Sequence, residues 1–231
     1  MSEPAPTQGP TPPPCPAPRK RCTIYIDAFN WYYGIFIHRP EWKWLNIQSL
    51  FEALRLDEEV VRICFFTAIV HPNQHRSEKR DRQKRYLAAL KSLPKVEIVL
   101  GKCQERTVTC QANVCPHNLQ YQVGEEKKTD VNIAIRLIDD ALHQRTDSMV
   151  IVSADSDLEP AVEWVRKNHP GIKITVYVPT LPDEAAQRRN DHYLRMKVQC
   201  RPLPLNEIPR HLLPTKVPLP DGSLVERPSL D

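Results

Sequence analysis

The sequence predicts a three-layer α/β domain, with a mainly parallel five-stranded sheet and helices on both faces. Three observations carry that expectation. Short apolar runs alternate with helix-patterned segments through the middle of the chain. The runs CTIYIDAF, VVRICFFTAIV, KVEIVLG, SMVIVSA and KITVYVP are rich in β-branched and apolar residues with few polar interruptions, as strands covered on both faces are. The prolines, 23 against only 6 glycines, concentrate at the two ends.

Taken in order, residues 1–21 (MSEPAPTQGPTPPPCPAPRKR) are expected to be a disordered, proline-rich tail, and the domain is expected over 22–200. The first strand is 22–29. Helix 44–54 follows, with Leu45, Ile47, Leu50, Phe51 and Leu54 near helical spacing and Asn46 as its N-cap. Strand 60–70 leads into a basic helix over 74–93, closed by Pro94, and strand 95–101 ends on Gly101. Residues 102–128 are expected as a long polar insertion loop. Helix 129–142 is predicted with Val131, Ala134, Ile135, Ile138, Ala141 and Leu142 on its buried stripe and Thr129 as cap. Strand 148–154, helix 156–168, strand 173–179 and a last helix over 183–194 complete the domain, and 201–231 is expected as a flexible proline-rich arm.

No segment offers about 18 uninterrupted apolar residues, so neither a membrane span nor a membrane partner is expected, and the cytoplasm is the expected location. Seven cysteines without an export signal fit reduced thiols or a metal site better than a disulfide framework. A net charge of +4 leans mildly toward an anionic partner. Oligomeric state is left open.

Parallel topology gives the acids their meaning. Every strand of such a sheet ends at one edge, where ligands bind. Asp27 closes the first strand, Asp155 and Asp157 follow the fourth, and Asp130 opens the helix leading into the fourth, so all four are expected at that edge, with Asn30 beside them. Clustered carboxylates repel unless a cation neutralises them, and Mg²⁺ or Mn²⁺ suits hard oxygen ligands. A cation so held activates water and stabilises phosphodiester charge. The competing reading for Asp130 and Asp155 is helix capping.

YIDAFNWYYG, KKTDVNIAIRLIDDA and VIVSADSDLEPAVEWVR together resemble the NYN domain, a branch of the PIN-like fold, over roughly 22–195. The resemblance implies a Rossmann-like sheet and a metal-dependent endoribonuclease acting on RNA. Its acidic positions fall on Asp27, Asp130, Asp155 and Asp157, and a polar position falls on Asn30. Trp31 stands where an aliphatic residue is commoner, which is expected to alter the rim. A narrower resemblance, through KWLNIQSLFEAL, FFTAIV, LPKVEIVLG and VPLPDGSLVERP, is to bacterial NYN proteins bearing the name 6-hydroxy-3-succinoylpyridine 3-monooxygenase, an NADH-dependent hydroxylase of nicotine breakdown. That activity is kept as the alternative function. Yet the turn after the first strand reads DAFNWYYG and not G-x-G-x-x-G.

Two peripheral features complete the candidates. Cys103, Cys110, Cys115 and His117 form a possible Zn²⁺ set, with ordinary free thiols as the competing reading. Arg76, Lys79, Arg80, Arg82, Lys84 and Arg85 on the basic helix, with Lys127 and Lys128, are a candidate phosphate-binding surface, against the plainer reading of a solvated helix face. A non-catalytic RNA-binding module is the third functional class. Trp31, Tyr32 and Tyr33 could stack on bases or pack the first helix, and packing is favoured for the two tyrosines.

Overall fold

In the computed structural model, which describes residues 18–70, 77–110, 119–181 and 198–229, the first strand (β1, Lys20–Asp27) is buried along its last six residues and paired on both sides. The proline-rich tail to residue 17, the expected helix 183–194, and Arg76, Cys115 and His117 lie outside the described residues. The remaining strands are β2 (Glu58–Thr67), β3 (Val96–Leu100), β4 (Lys102–Thr109), β5 (Gln120–Lys127), β6 (Ser148–Val152), β7 (Lys173–Val178), β8 (Gln199–Pro202), β9 (Lys216–Pro218) and β10 (Leu224–Glu226). The α-helices are α1 (Ala28–Trp31), α2 (Ile47–Leu54), α3 (Ser77–Lys91), α4 (Thr129–Leu142) and α5 (Glu159–Asn168).

The central sheet has six strands in the order β3-β2-β1-β6-β7-β8, all parallel. The expected α/β class is therefore the observed one, with β8 added as a sixth strand at the edge. Its four residues, QCRP, end in proline and carry no buried run, so nothing in their pattern announces a strand. From β1 the chain winds outward through β2 and β3, then returns to the other side of β1 as β6. The strand order thus reverses between β1 and β6, and a crevice is expected outside their carboxyl ends.

Side chains alternate along β1. Ile24 and Ile26 join Trp31, Phe51, Phe65 and Leu90 on the α1–α3 side, whereas Tyr25 joins Phe66, Leu137, Val162 and Val176 on the α4–α5 side. Trp31 belongs to this core and not to the rim: it is fully buried, stacked on Phe36 at 5.3 Å and edge-on to Phe51 at 6.1 Å. Asn46 caps α2 as expected, accepting the Ser49 amide at 2.9 Å.

The register of α4 differs in part from the expectation: Ala141 is buried and Ala134 and Ile138 pack against the core as expected, but the stripe is rotated. Thr129, Ile133, Leu137, Asp140 and Ala141 are the buried residues, while Val131, Ile135 and Leu142 are 60%, 61% and 55% exposed. Asp140 explains the rotation. Its carboxylate accepts the Tyr25 hydroxyl at 2.7 Å and is ion-paired to Arg62 and Arg145, so a buried charge holds the inward face. Hydrophobicity alone could not reveal it. Leu137→Ala is accordingly expected to cost about 2–4 kcal/mol in urea denaturation, and Ile135→Ala less than about 0.5 kcal/mol. Equal losses would show the wrong face buried.

Residues 102–128 are not a loop throughout: β4 and β5 pair antiparallel from Lys102↔Lys127 to Thr109↔Gln120. Their backbone pairing is local, and most of the described β4 side chains stay exposed, so the segment lacks the apolar alternation that marks a half-buried strand. Nor is 201–231 a free arm over its described part. Strands β9 and β10 pair, and Leu213, Val217 and Val225 pack with Trp44 and Ala89, while the Trp44 indole donates to the Pro214 carbonyl at 2.8 Å. Among the described residues no helix is long and apolar enough to cross a membrane.

Candidate metal centre

The parallel register between β1 and β6 sets Ile26 beside Val152, so Asp27 and Ser153 leave the sheet side by side. The Ser153 hydroxyl donates to Asp27 Oδ2 at 3.0 Å, and the Asn30 amide donates to Asp27 Oδ1 at 3.0 Å as α1 begins. Asn30 in turn accepts the Ala154 amide at 2.9 Å through Oδ1, locking the β1 and β6 turns together. That bond occupies the Asn30 carbonyl and leaves its NH₂ as the donor.

Asp155 joins them. Its Oδ1 accepts the Asp157 amide at 2.9 Å, so the capping role is real, and its carboxylate still belongs to the cluster. Ligand oxygens of Asp27, Asp130 and Asp155 all lie within 4.8 Å of one another. Asp157 is exposed and stands outside this trio, although its charge acts on Asp130. The crevice is about 260 Å³ and is lined by Asp27, Phe29, Asn30, Tyr33, Gly34, Glu126, Asp130 and Asp155. Gly34 is required by its neighbour: a Cβ there would fall 1.9 Å from the Pro179 carbonyl oxygen.

Electrostatics follow the geometry. Burial raises the Asp27 pKa, and Asp155 adds to it, against the opposing hydrogen bonds from Asn30 and Ser153. Burial first, then Asp27, Asp155 and Asp157, push Asp130 up to about 6. Glu126 is the residue the sequence reading missed. The end of β5 delivers it to the crevice, where burial, with Asp27 and Asp130, lifts it to about 7 despite a hydrogen bond from Thr129 Oγ1. A hairpin in place of the expected loop is what would have pointed to it. Crowded acids of this kind fit a hard divalent cation, whose charge relieves both the repulsion and the desolvation.

The hairpin meets α4 at Lys128, which adopts φ +77 as the N-cap residue; Thr129, expected as the cap, is the first helical residue and is buried. Left-handed backbone costs a side-chain-bearing residue about 1 kcal/mol, so Lys128→Gly is expected to raise stability by about that amount in urea denaturation.

The zinc set does not assemble. Cys103 and Cys110 lie at the two ends of the extended β4, roughly 23 Å apart at about 3.3 Å per residue, too far for one ion, and Cys115 and His117 lie outside the described residues. Cys22 and Cys64 are core thiols, pushed up to about 12 chiefly by burial.

The basic helix divides. Gln83 bonds the Ala68 carbonyl and the Val70 amide, each at 2.9 Å, which fixes the N-terminal half of α3 at the carboxyl end of β2. Lys79 and Arg82 act on Lys43 there, whereas Arg85 acts on Glu226 of β10. Arg80 is half-buried and Lys84 exposed on the same helix, and the exposed Lys127 and Lys128 directly follow Glu126.

The chain is similar, at 28% identity over 86% of its length and 73% of the relative's, to a protein of Pseudomonas putida named 6-hydroxy-3-succinoylpyridine 3-monooxygenase HspA. A crystal structure of a protein of unknown function from Vibrio parahaemolyticus aligns with a TM-score of 0.47 at 17% identity, covering 85% of this chain and 98% of that one. The family model for the NYN domain matches residues 21–197, which take in the central sheet from β1 to β7, without the edge strand β8, and every acid of the crevice. On that match, the chain belongs to the NYN domain family.

Proposed function

We propose that this chain is a divalent-metal-dependent endoribonuclease that hydrolyses RNA phosphodiester bonds at the β1/β6 crevice. The observation that carries the reading is the convergence of Asp27, Asp130 and Asp155, oxygens within 4.8 Å, in a domain of a family whose members are typically nucleases. Asp27, Asp130 and Asp155 would hold Mg²⁺ or Mn²⁺, with Asp157 reaching it through water. The cation, when bound, supplies an acidified water and neutralises phosphate charge.

The chain's own groups do the rest. Ser153 and the Asn30 amide fix the Asp27 carboxylate, so it cannot swing away from the crevice. The Asn30 NH₂ orients a phosphate oxygen. Glu126, at about 7 in the metal-free site, takes the proton of the attacking water as its oxygen bonds to phosphorus, and the bond to the ribose oxygen breaks as solvent protonates that leaving oxygen. Cleavage of labelled single-stranded and structured RNA with Mn²⁺ or Mg²⁺ tests the reading. Absence of cleavage at full metal occupancy would sink it.

A second reading comes from the name of the Pseudomonas putida relative. Under it the chain would oxidise NADH while hydroxylating a pyridine. Against it stands the turn after β1, where a nucleotide-cradling loop would expose glycine amides and this chain presents the buried carboxylate of Asp27. A purified chain that neither binds nor oxidises NADH removes that reading. A non-catalytic RNA-binding module predicts salt-sensitive binding without turnover.

A further inference from the structure

Aromatic and cationic side chains from two separate parts of the chain meet beside the crevice. Tyr33 lines the crevice and is 60% exposed, contrary to the packing role expected for it. Its ring contacts Tyr32 edge-on at 5.3 Å, and Lys43 Nζ lies 5.1 Å from the centre of the Tyr32 ring. The charges of Arg82 and Lys79 on α3 act on Lys43: burial, followed by repulsion from Arg82 and Lys79, holds its ammonium below the usual range. Arg82 has a carboxylate partner in Glu78 at 3.8 Å, but that side chain is largely in water, so Arg82 is poorly neutralised. Such a cluster lowers its energy by taking up anions.

We propose that Tyr33, Tyr32, Lys43, Lys79 and Arg82 form a track for a single-stranded polynucleotide, leading one strand out of the acidic crevice and along the N-terminal half of α3. A base stacks on the exposed Tyr33 ring, and the following phosphates meet Lys43, Arg82 and Lys79 in turn. The preference for single strands follows from Tyr33, because a ring standing free can stack on an unpaired base, whereas duplex bases already stack on one another. Cations alone would accept either form. The crevice end of the track rests on the nuclease reading; the track itself does not.

Fluorescence anisotropy with a labelled 12-nucleotide single-stranded RNA, in EDTA to prevent cleavage, tests it on the full chain. Tyr33→Ala is expected to weaken binding roughly 5- to 100-fold, and Tyr33→Phe, which keeps the ring, to restore it. Combined Lys43→Ala and Arg82→Ala is expected to reduce the slope of log affinity against log salt by about 0.7 per lost phosphate contact, while Tyr33→Ala leaves that slope unchanged. Single-stranded DNA and duplex RNA of equal length are the further arms. Weaker binding of the duplex supports the track, and binding of DNA equal to RNA assigns it to the shared backbone and base chemistry. Unchanged affinity in Tyr33→Ala, or a duplex bound as tightly as the single strand, overturns the inference. If wild type binds in this pattern yet no metal restores cleavage, the nuclease reading fails and the track stands.

Discussion

Asp27→Asn is expected to reduce RNA cleavage by on the order of 10³-fold while leaving the protein as stable as wild type, or about 1 kcal/mol more stable. The two effects share one cause. Asp27 is 4% exposed, and its ionised form is disfavoured first by burial and then by the Asp155 charge. Asparagine keeps an acceptor for the Asn30 amide and a polar partner for Ser153, so the turn survives, and it removes the charge that the crevice resists. It also removes an anionic oxygen from the trio that would hold the cation. Cleavage in Mn²⁺, read beside a urea midpoint, checks both halves. Cleavage retained within tenfold would remove Asp27 from the metal site, and a stability loss above about 2 kcal/mol would make it a structural residue. RNA binding in EDTA should persist in the variant, which separates lost chemistry from lost substrate.

Asp27, Asp130 and Asp155 were legible in the sequence because a parallel sheet turns strand order into geometry: whatever follows a strand lies at one edge. Asp157 shows the limit of that logic. It follows Asp155 by only two residues, but the 3₁₀ turn over Ser156–Leu158 intervenes and it stands outside the trio. Glu126 was missed for a different reason. Its arrival depends on the hairpin β4–β5, whose stability is in backbone pairing and leaves a weak mark on the side-chain pattern. α4 was misregistered because a buried Asp140 outweighs three exposed aliphatic residues, and a network formed with Tyr25 and Arg62 across the fold has no local signature. Tyr32 and Lys43 likewise meet only once α1 and the segment after it have folded back.

In EDTA the protein is expected to lose stability as pH rises from 5 to 7, and Mg²⁺ is expected to reverse that trend. The sign follows from proton counts. Asp130 moves from 3.8 to about 6 and Glu126 from 4.5 to about 7 on folding, and Asp27 is also raised. Across that window the native state holds protons that the unfolded chain has released, so the slope of unfolding free energy against pH is negative. Above about 7 these groups are ionised in both states and the full penalty is present. Asp147 beside Arg21, and Glu58 gripped by Arg55, have lowered pKa values and act in the opposite sense, but below the unfolded carboxylate range. Their contribution changes little between pH 5 and 7. Both Asp130 and Glu126 are partly open to water and titrate together, so screening limits their joint effect to about 1–2 kcal/mol. A cation requires the deprotonated form, so its affinity rises over the same window. At a hundredfold excess over its dissociation constant it adds about 2.7 kcal/mol, a rise in Tm of about 5–10 °C at this chain length. Thermal melts at pH 5, 6 and 7, with EDTA and with Mg²⁺, measure both slopes. Asp130→Asn should flatten the EDTA slope and lose most of the Mg²⁺ shift. An EDTA profile that rises through this range, with no response to Mg²⁺, would mean that the three carboxylates do not act as one site.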